Sequence, residues 1–363
     1  MEVRFRRIRI PLLSPFTTSF GTQENREALL LFLSADGIEA YSECVADSEP
    51  YYSYEDNETA LHIIGDILYA YIEDLPAPEV FLRRTAKVKG HNMAKAAVEM
   101  LLWDYHAKKN RKPLHSMLGE SRGYAMAGIS IGMSKIDSML KSVEDALEKG
   151  YRRIKVKISR GREFEILKAI RDRFPDIPLS ADANSDYTIK DIELLERLDR
   201  FNLLYIEQPL EHDDIVRHAE LAKRISTPIC LDESITDARK AELAFELGAC
   251  KIVNIKPGRV SGLSTSLEIA SIARKYGGHC WVGGMLETGI GRSFNIALAS
   301  NALIDYPGDT SPNSRYFAKD IVSNPFEMNE GMIRCNEHPG CGAIVDREAL
   351  EMYTLQSGLL LMR

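Results

Sequence analysis

Lys157, Asp182, Glu207, Asp232 and Lys256 follow one another at intervals of 25, 25, 25 and 24 residues. Each closes a short apolar run that reads as a buried strand: Ile154–Lys157, Ile177–Asp182, Leu203–Glu207, Pro228–Asp232 and Lys251–Lys256. A strand, a helix and two loops use roughly 25 residues, which is the repeat of a (β/α) barrel. One charge at the end of one buried strand is an oddity. The same event on five successive strands sets three carboxylates between two lysines on a single ring, at the C-terminal mouth where barrels do chemistry.

The repeat extends in both directions. Ala125–Ile131 reads as the first barrel strand and Ile136–Glu148 as its helix, stopped by Gly150. Further helices are expected near 163–173, 190–199, 213–225, 237–247 and 263–276. His279–Val282 is the seventh strand, Gly291–Ala302 its helix, and Leu303–Tyr306 an eighth strand with no barrel-type helix after it. The expected class is α/β: a modified TIM barrel of (β/α)7β form over residues 121–312. Residues 1–120 have another pattern. Strands at Val3–Ile10, Ala28–Ser34 and Ile38–Val45, the last two joined at Asp36-Gly37, precede helical patterns at Tyr54–Ile72, Pro78–Thr85 and Met93–Lys108. This is an α+β module. Residues 313–363 carry turns and strand-like pieces such as Gly342–Asp346, and are expected to pack on that module to complete a capping domain.

The length of 363 residues suits a barrel with an attached domain. The net charge of -7 is spread along the chain, which argues against nucleic acid as a partner, because phosphate binding needs a basic patch. Cys44, Cys230, Cys250, Cys280, Cys335 and Cys341 form no CxxC pair and read as small buried hydrophobes of a reducing cytoplasm. The ligand spacings of zinc sites are missing. Met1-Glu-Val-Arg-Phe-Arg-Arg lacks the apolar core of a signal peptide, and stretches such as Leu29–Leu33 are too short for a bilayer. A cytoplasmic protein without membrane or nucleic-acid partners is expected.

Three carboxylates with no thiolate companions favour Mg²⁺ or Mn²⁺, held by Asp182, Glu207 and Asp232. Asn184, two residues beyond Asp182, either reaches the same mouth or caps the next helix. Glu233 should point away from the bore and support its neighbours. Lys155 and Lys157 are two apart and face the bore together. An ammonium beside another ammonium, or in a desolvated pocket, is pushed toward neutrality and becomes a usable base. Lys157, nearer the mouth, is the expected base, with Lys155 as its electrostatic neighbour. Lys256, across the bore, is the second catalytic lysine. Two lysines facing each other across a metal suit removal of a proton next to a carboxylate. Gly283-Gly284-Met285 and Gly289-Ile290-Gly291-Arg292 form a loop that either binds phosphate or lets substrate approach closely.

At these residues the chain resembles the enolase superfamily, muconate-lactonizing subgroup. The matching motifs are Lys155-Val-Lys157, Asp182-Ala-Asn184, Glu207-Gln-Pro209, Asp232-Glu-Ser234 and Asn254-Ile-Lys256, with Ala97-Val-Glu-Met-Leu-Leu-Trp-Asp104 in the capping module. Pro15-Phe-Thr-Thr-Ser-Phe-Gly21, Lys256-Pro-Gly-Arg-Val-Ser-Gly262 and Gly283-Gly-Met-Leu-Glu-Thr-Gly-Ile-Gly-Arg292 are most similar to the o-succinylbenzoate synthase / N-succinylamino acid racemase family. The resemblance implies a capping loop near residues 15–26 that closes over a small carboxylate substrate. It implies an enediolate intermediate, loss of water in the synthase reaction, and exchange of roles between the lysines in the racemase reaction. Phe20, Ser130, Gly284, Met285 and Glu287 are the expected substrate-binding residues. Arg259 either tunes Lys256 or makes a helix-start salt bridge. A homo-oligomer is expected. Rival readings are a dipeptide epimerase, whose D-x-D pattern becomes Asp305-Tyr-Pro-Gly-Asp309 here, a muconate cycloisomerase, and a non-catalytic carboxylate-binding protein.

Overall fold

The computed structural model describes residues 1–18 and 21–360. The chain opens with strands β1 (Glu2–Thr18), β2 (Gly21–Ala35) and β3 (Ile38–Cys44). The turn between β2 and β3 has left-handed backbone at both Asp36 (φ 53°) and Gly37 (φ 74°), the geometry that matches the twist of a two-residue hairpin. Period-two alternation in β2 explains how one strand serves two cores. Leu29, Leu31 and Leu33 pack on the capping helices, while Ala28, Leu30 and Phe32 join the core shared with the barrel.

Helices α1 (Asn57–His62), α2 (Pro78–Arg84), α3 (Asn92–Lys109) and α4 (Leu114–Met117) follow. The single helix expected over Tyr54–Ile72 is interrupted. Asp56 caps α1 in a reciprocal box with Thr59, but Ile63–Leu68 widens to a π-helical turn and Tyr69–Tyr71 tightens to 3₁₀. The widening includes Gly65, a poor helix former. Helix α3 is buried along most of its length because it lies between the capping sheet and the barrel.

The expected first barrel strand, Ala125–Ile131, is two strands. β4 (Tyr124–Met126) and β5 (Ile129–Ile131) are separated at Ala127-Gly128. The Arg153 guanidinium occupies the space beside Gly128, where a Cβ would stand 2.6 Å from Nη2. Then come α5 (Ile136–Glu148), β6 (Ile154–Lys157), α6 (Glu163–Arg173), β7 (Leu179–Asp182), α7 (Ile192–Glu196) and β8 (Ile206–Glu207). The series continues with α8 (Ile215–Leu221), β9 (Ile229–Leu231), α9 (Ala238–Glu246), β10 (Ile252–Ile255), α10 (Leu263–Lys275), β11 (His279–Val282) and α11 (Gly289–Ala299). Strands β5 to β11 form one parallel sheet in sequence order.

No eighth strand forms at Leu303–Tyr306. The ring is bridged one step later, by residues 306–309. Tyr306 N and Asp309 N donate to Cys280 O (3.2 Å) and Val282 O (2.9 Å) of β11, and Gly308 N donates to Met126 O (3.0 Å) on the other side. Pro307 has no N–H and cannot sustain a regular ladder.

The tail adds β12 (Met328–Asn329) and β13 (Met332–Arg334), which extend a small sheet with β4. After α12 (Arg347–Tyr353), β14 (Thr354–Leu360) pairs antiparallel with β1, giving the capping sheet the order β14-β1-β2-β3. All six cysteines are buried. Among the described residues no helix is long and apolar enough to cross a membrane.

Candidate active site

Arg153, Lys155 and Lys157 lie two residues apart, so all three side chains enter the bore. Arg153 and Lys155 sit over the indole of Trp281, 4.6 and 4.8 Å from its centroid, and Trp281 stacks on Tyr205. This cationic and aromatic layer underlies the charged residues. In-register pairing aligns Lys157, Asp182 and Glu207 across β6, β7 and β8. Asp232 and Lys256 stand immediately beyond β9 and β10.

The ammonium of Lys155 meets Glu207 at 2.8 Å, Asp309 at 3.0 Å and Asp182 at 3.1 Å. Lys157 donates to Asp182 (2.7 Å) and to the Asn184 amide oxygen. Lys256 donates to Asp232 (2.8 Å) and to the Tyr52 hydroxyl (3.1 Å). Arg259 pairs with Asp232 and anchors itself on the backbone oxygens of Ile235 and Asn254. It therefore stands beside Lys256, sharing its carboxylate. Asn184 serves the mouth and not a helix cap: its Nδ2 donates to Glu233 (3.1 Å) while its Oδ1 receives Lys157.

Glu233 is buried beyond the end of β9; its carboxylate accepts from Asn184 and does not line the cavity. Glu287 departs from expectation. It does not line the cavity; it turns back to accept from Met285 N (2.8 Å) and to pair with Arg292 (3.0 Å), shaping its own loop. Ser130, Gly284 and Met285 do line the cavity, and Phe20 lies outside the described residues. The cavity, about 310 Å³, is roofed by capping residues including Phe16, Gln23, Arg26 and Tyr52 and floored by Lys155, Lys157, Asp182 and Lys256.

Burial works to raise the Asp182 carboxyl, yet Lys157 and Lys155 hold it well below the usual carboxylate range. Burial and the adjacent Asp182 charge push Glu207 upward. Burial would lower Lys155, but Asp309, Glu207 and Asp182 keep it well above the ordinary ammonium value. Burial opposes the charge on Lys256 too, and Tyr52 and Glu233 outweigh it. Repulsion between ammonium groups is thus not the dominant influence on Lys155 or Lys256; burial is the largest single one, and the neighbouring acids and Tyr52 together outweigh it.

The three acids do not meet at one point. Among the described residues no three acidic, His or Cys side chains gather within common ligating reach. Lys155 is drawn between Asp182 and Glu207, and Asp232 is drawn to Lys256 and Arg259. The donor set still suits a hard cation. It is all oxygen and buried, and Asp182 and Glu207 both lie within 3.1 Å of the Lys155 ammonium.

Three site residues, Tyr52, Trp281 and Arg153, escaped the sequence reading, and a fourth, Asp309, entered it only through a rival pattern. Tyr52 comes from the capping domain, with no phase relation to the barrel repeat. Asp309 lies on the irregular segment that bridges the ring. Trp281 reads as an ordinary core residue. Arg153 carried a visible signal, since Arg-x-Lys-x-Lys places all three cations on one face of β6.

A barrel with acids and lysines at its strand ends, roofed by an α+β cap, defines a class that comparison with known proteins identifies. The chain belongs to the enolase superfamily. Residues 1–119 match the mandelate racemase / muconate lactonizing enzyme N-terminal domain, and residues 138–349 match the enolase C-terminal domain-like family. The chain is 42% identical to an o-succinylbenzoate synthase of Geobacillus stearothermophilus over 97% of this chain and 95% of that one. It is 44% identical to an N-succinylamino acid racemase of Amycolatopsis sp over 97% and 96%. A crystal structure of an enolase-superfamily member from Listeria innocua superposes with a TM-score of 0.95 at 36% identity, covering 100% of this chain and 99% of that one.

Proposed function

We propose that this chain removes the proton α to a substrate carboxylate, with Lys157 as base and Lys256 as the second acid–base group. The substrates are that of o-succinylbenzoate synthase and N-succinylamino acids. The observation that carries this reading is the pair of lysines entering one cavity from strands β6 and β10, on opposite sides of the ring, each paired with a different acid.

Asp182, Glu207 and Asp232 would hold Mg²⁺, with Mn²⁺ as a substitute. Bound there, the ion would draw negative charge from the substrate carboxylate and make the α-carbon more acidic. Lys157 Nζ takes the α-proton on one face. In the synthase reaction the protonated Lys157 returns that proton to the departing hydroxyl, which leaves as water as the C–O bond breaks. In the racemase reaction Lys256 Nζ delivers a proton to the opposite face, and the roles reverse for the other enantiomer. Asn184 holds Lys157 in line, and Tyr52 does the same for Lys256.

Asp182, Glu207, Asp232, Glu233 and Asp309 face Arg153, Lys155, Lys157, Lys256 and Arg259 in the site. A substrate ammonium finds less support: Asp309 is held by two cations, and Asp305 is bonded to His279.

The test is to incubate purified protein and Mg²⁺ in D₂O with the synthase substrate and with N-succinylamino acids, comparing kcat/KM and α-deuterium uptake with and without EDTA. Turnover and metal-dependent exchange are expected. No exchange into any of these substrates would refute the proposal.

A further inference from the structure

Glu99 is a fully buried carboxylate that the proton-transfer chemistry does not use. It belongs to α3 of the cap, yet it accepts from Leu263 N (3.0 Å), Ser264 N (2.9 Å) and Ser264 Oγ (2.6 Å) of the barrel. Those amides open α10. They have no intrahelical partner and carry the positive end of the helix dipole, so an anion is well matched to them. Trp103 Nε1, one turn along α3, fixes the same carboxylate at 2.8 Å. Gly262 stands at φ +119°, and a Cβ there would collide with the Glu99 side chain, so the glycine gives the carboxylate its access.

Asn92 lies seven residues before Glu99, two turns away on the same helical face. Its Nδ2 donates to Arg259 O and Thr236 O, both at 2.9 Å, and its Oδ1 accepts from Ser261 Oγ at 3.0 Å. The two residues thus hold the segment that joins β10 to α10 at Arg259, Ser261, Leu263 and Ser264, three to eight residues beyond Lys256. That segment carries Lys256 and its neighbour Arg259. Among the described residues the side-chain hydrogen bonds of α3 do not reach the segment after β6, which follows Lys157.

We propose that Glu99, with Asn92, is a positioning clamp for Lys256 alone: the cap sets the position of one of the two lysines and leaves the other to the barrel. The inference rests on the two-lysine reading above. Neither residue touches substrate. Their effect is geometric, and a displacement of about 1 Å near a reacting centre can cost on the order of a hundredfold in rate. A loosened clamp therefore makes α-proton exchange with solvent differ between the two enantiomers.

The experiment measures α-deuterium uptake from D₂O, with Mg²⁺, separately for each enantiomer of an N-succinylamino acid. Lys256→Ala identifies the enantiomer whose proton Lys256 removes. Glu99→Gln and Asn92→Ala are each expected to slow exchange of that enantiomer by roughly tenfold or more, and to change the other by less than about threefold. Asn92 is partly exposed at the helix start, so its variant carries the test if Glu99→Gln does not fold. Equal loss for both enantiomers, no loss for either, or collapse of the Asn92→Ala fold would overturn the clamp. If the wild-type protein exchanged neither enantiomer, the two-lysine reading itself would fall. Wild-type exchange of both with symmetric loss in the variants would overturn the clamp and leave that reading standing.

Discussion

Replacing Asp309 with asparagine probes the layer beneath the cavity. The Asp309 carboxylate receives Arg153 Nη2 at 2.7 Å and the Lys155 ammonium at 3.0 Å, and the Arg153 side chain is entirely buried. Removing one member of a buried ion pair costs about 3–5 kcal/mol, because the remaining charge is left without compensation. Lys155 keeps Glu207 and Asp182, and Arg153 keeps the Pro307 oxygen and the face of Trp281. These remaining partners place the expected loss at about 3 kcal/mol, the lower end of that range. For 363 residues the unfolding entropy is about 0.76 kcal/mol/K, so the melting temperature should fall by about 4 °C. Urea unfolding followed by circular dichroism at pH 7, with a calorimetric melt, measures both quantities. Asp305→Asn is the control: its pair with His279 is half-exposed and should contribute under about 1 kcal/mol. The Asp309 carboxyl is depressed in the folded state, so its contribution is present above the unfolded value near about 3.9 and is lost as pH falls through the lower folded value. The difference between Asp309→Asn and wild type should therefore persist at pH 5 and narrow only in stronger acid. If Asp309→Asn unfolded with the wild-type midpoint, or lost no more than Asp305→Asn, the reasoning would be wrong.

Lys157→Ala should abolish α-proton exchange of the enantiomer it serves while leaving Mg²⁺ affinity within about threefold, since an ammonium is not a ligand; retained exchange would remove Lys157 from the base role. Glu207→Gln and Asp232→Asn should each weaken Mg²⁺ binding by about tenfold or more in a calorimetric titration, because each removes one of three anionic donors; unchanged affinity would contradict the assignment. Glu43 is buried at the start of α11, where it accepts from Thr288 N (3.0 Å) and Gly291 N (3.1 Å), and burial pushes its carboxyl up to about 7 from 4.5. Its folded pKa is raised, so its stabilising contribution is present below about pH 4.5 and is lost as pH rises through about 7, a swing of about 3 kcal/mol. Urea midpoints should drop more between pH 5 and pH 8 in wild type than in Glu43→Gln, and parallel curves would refute the shift.

Periodicity made the barrel legible. Helix α5 and strand β6 occupy the residues that apolar spacing assigns, because each must present one face to a core. The five phased charges were legible for the same reason: a strand end fixes where a side chain emerges. Tertiary closure was not legible. The strand over Ala125–Ile131 splits into a half that pairs with β13 and a half that pairs with β6, and no local pattern announces a partner arriving from elsewhere in the chain. Residues 306–309 bridge the ring through isolated hydrogen bonds that leave no alternation in sequence. β1 runs to Thr18 and not to Ile10, since its far half pairs with exposed residues of β2 and has no buried face to betray it. The meeting point of the three acids was misjudged because spacing gives direction but not the pull of neighbouring cations.

The pairing of β14 with β1 joins the first strand of the chain to residues synthesised after the whole barrel. While a ribosome is still extending the chain, β1 is an unprotected sheet border, open to any passing strand. Arg4, Arg6, Arg7 and Arg9 crowd that border with positive charge, a recognised deterrent to edge-to-edge aggregation. In the finished protein Arg6 instead reaches Glu351 and Thr354, at the end of α12 and the start of β14. The same side chain can thus guard the strand during synthesis and fasten its late partner once it arrives.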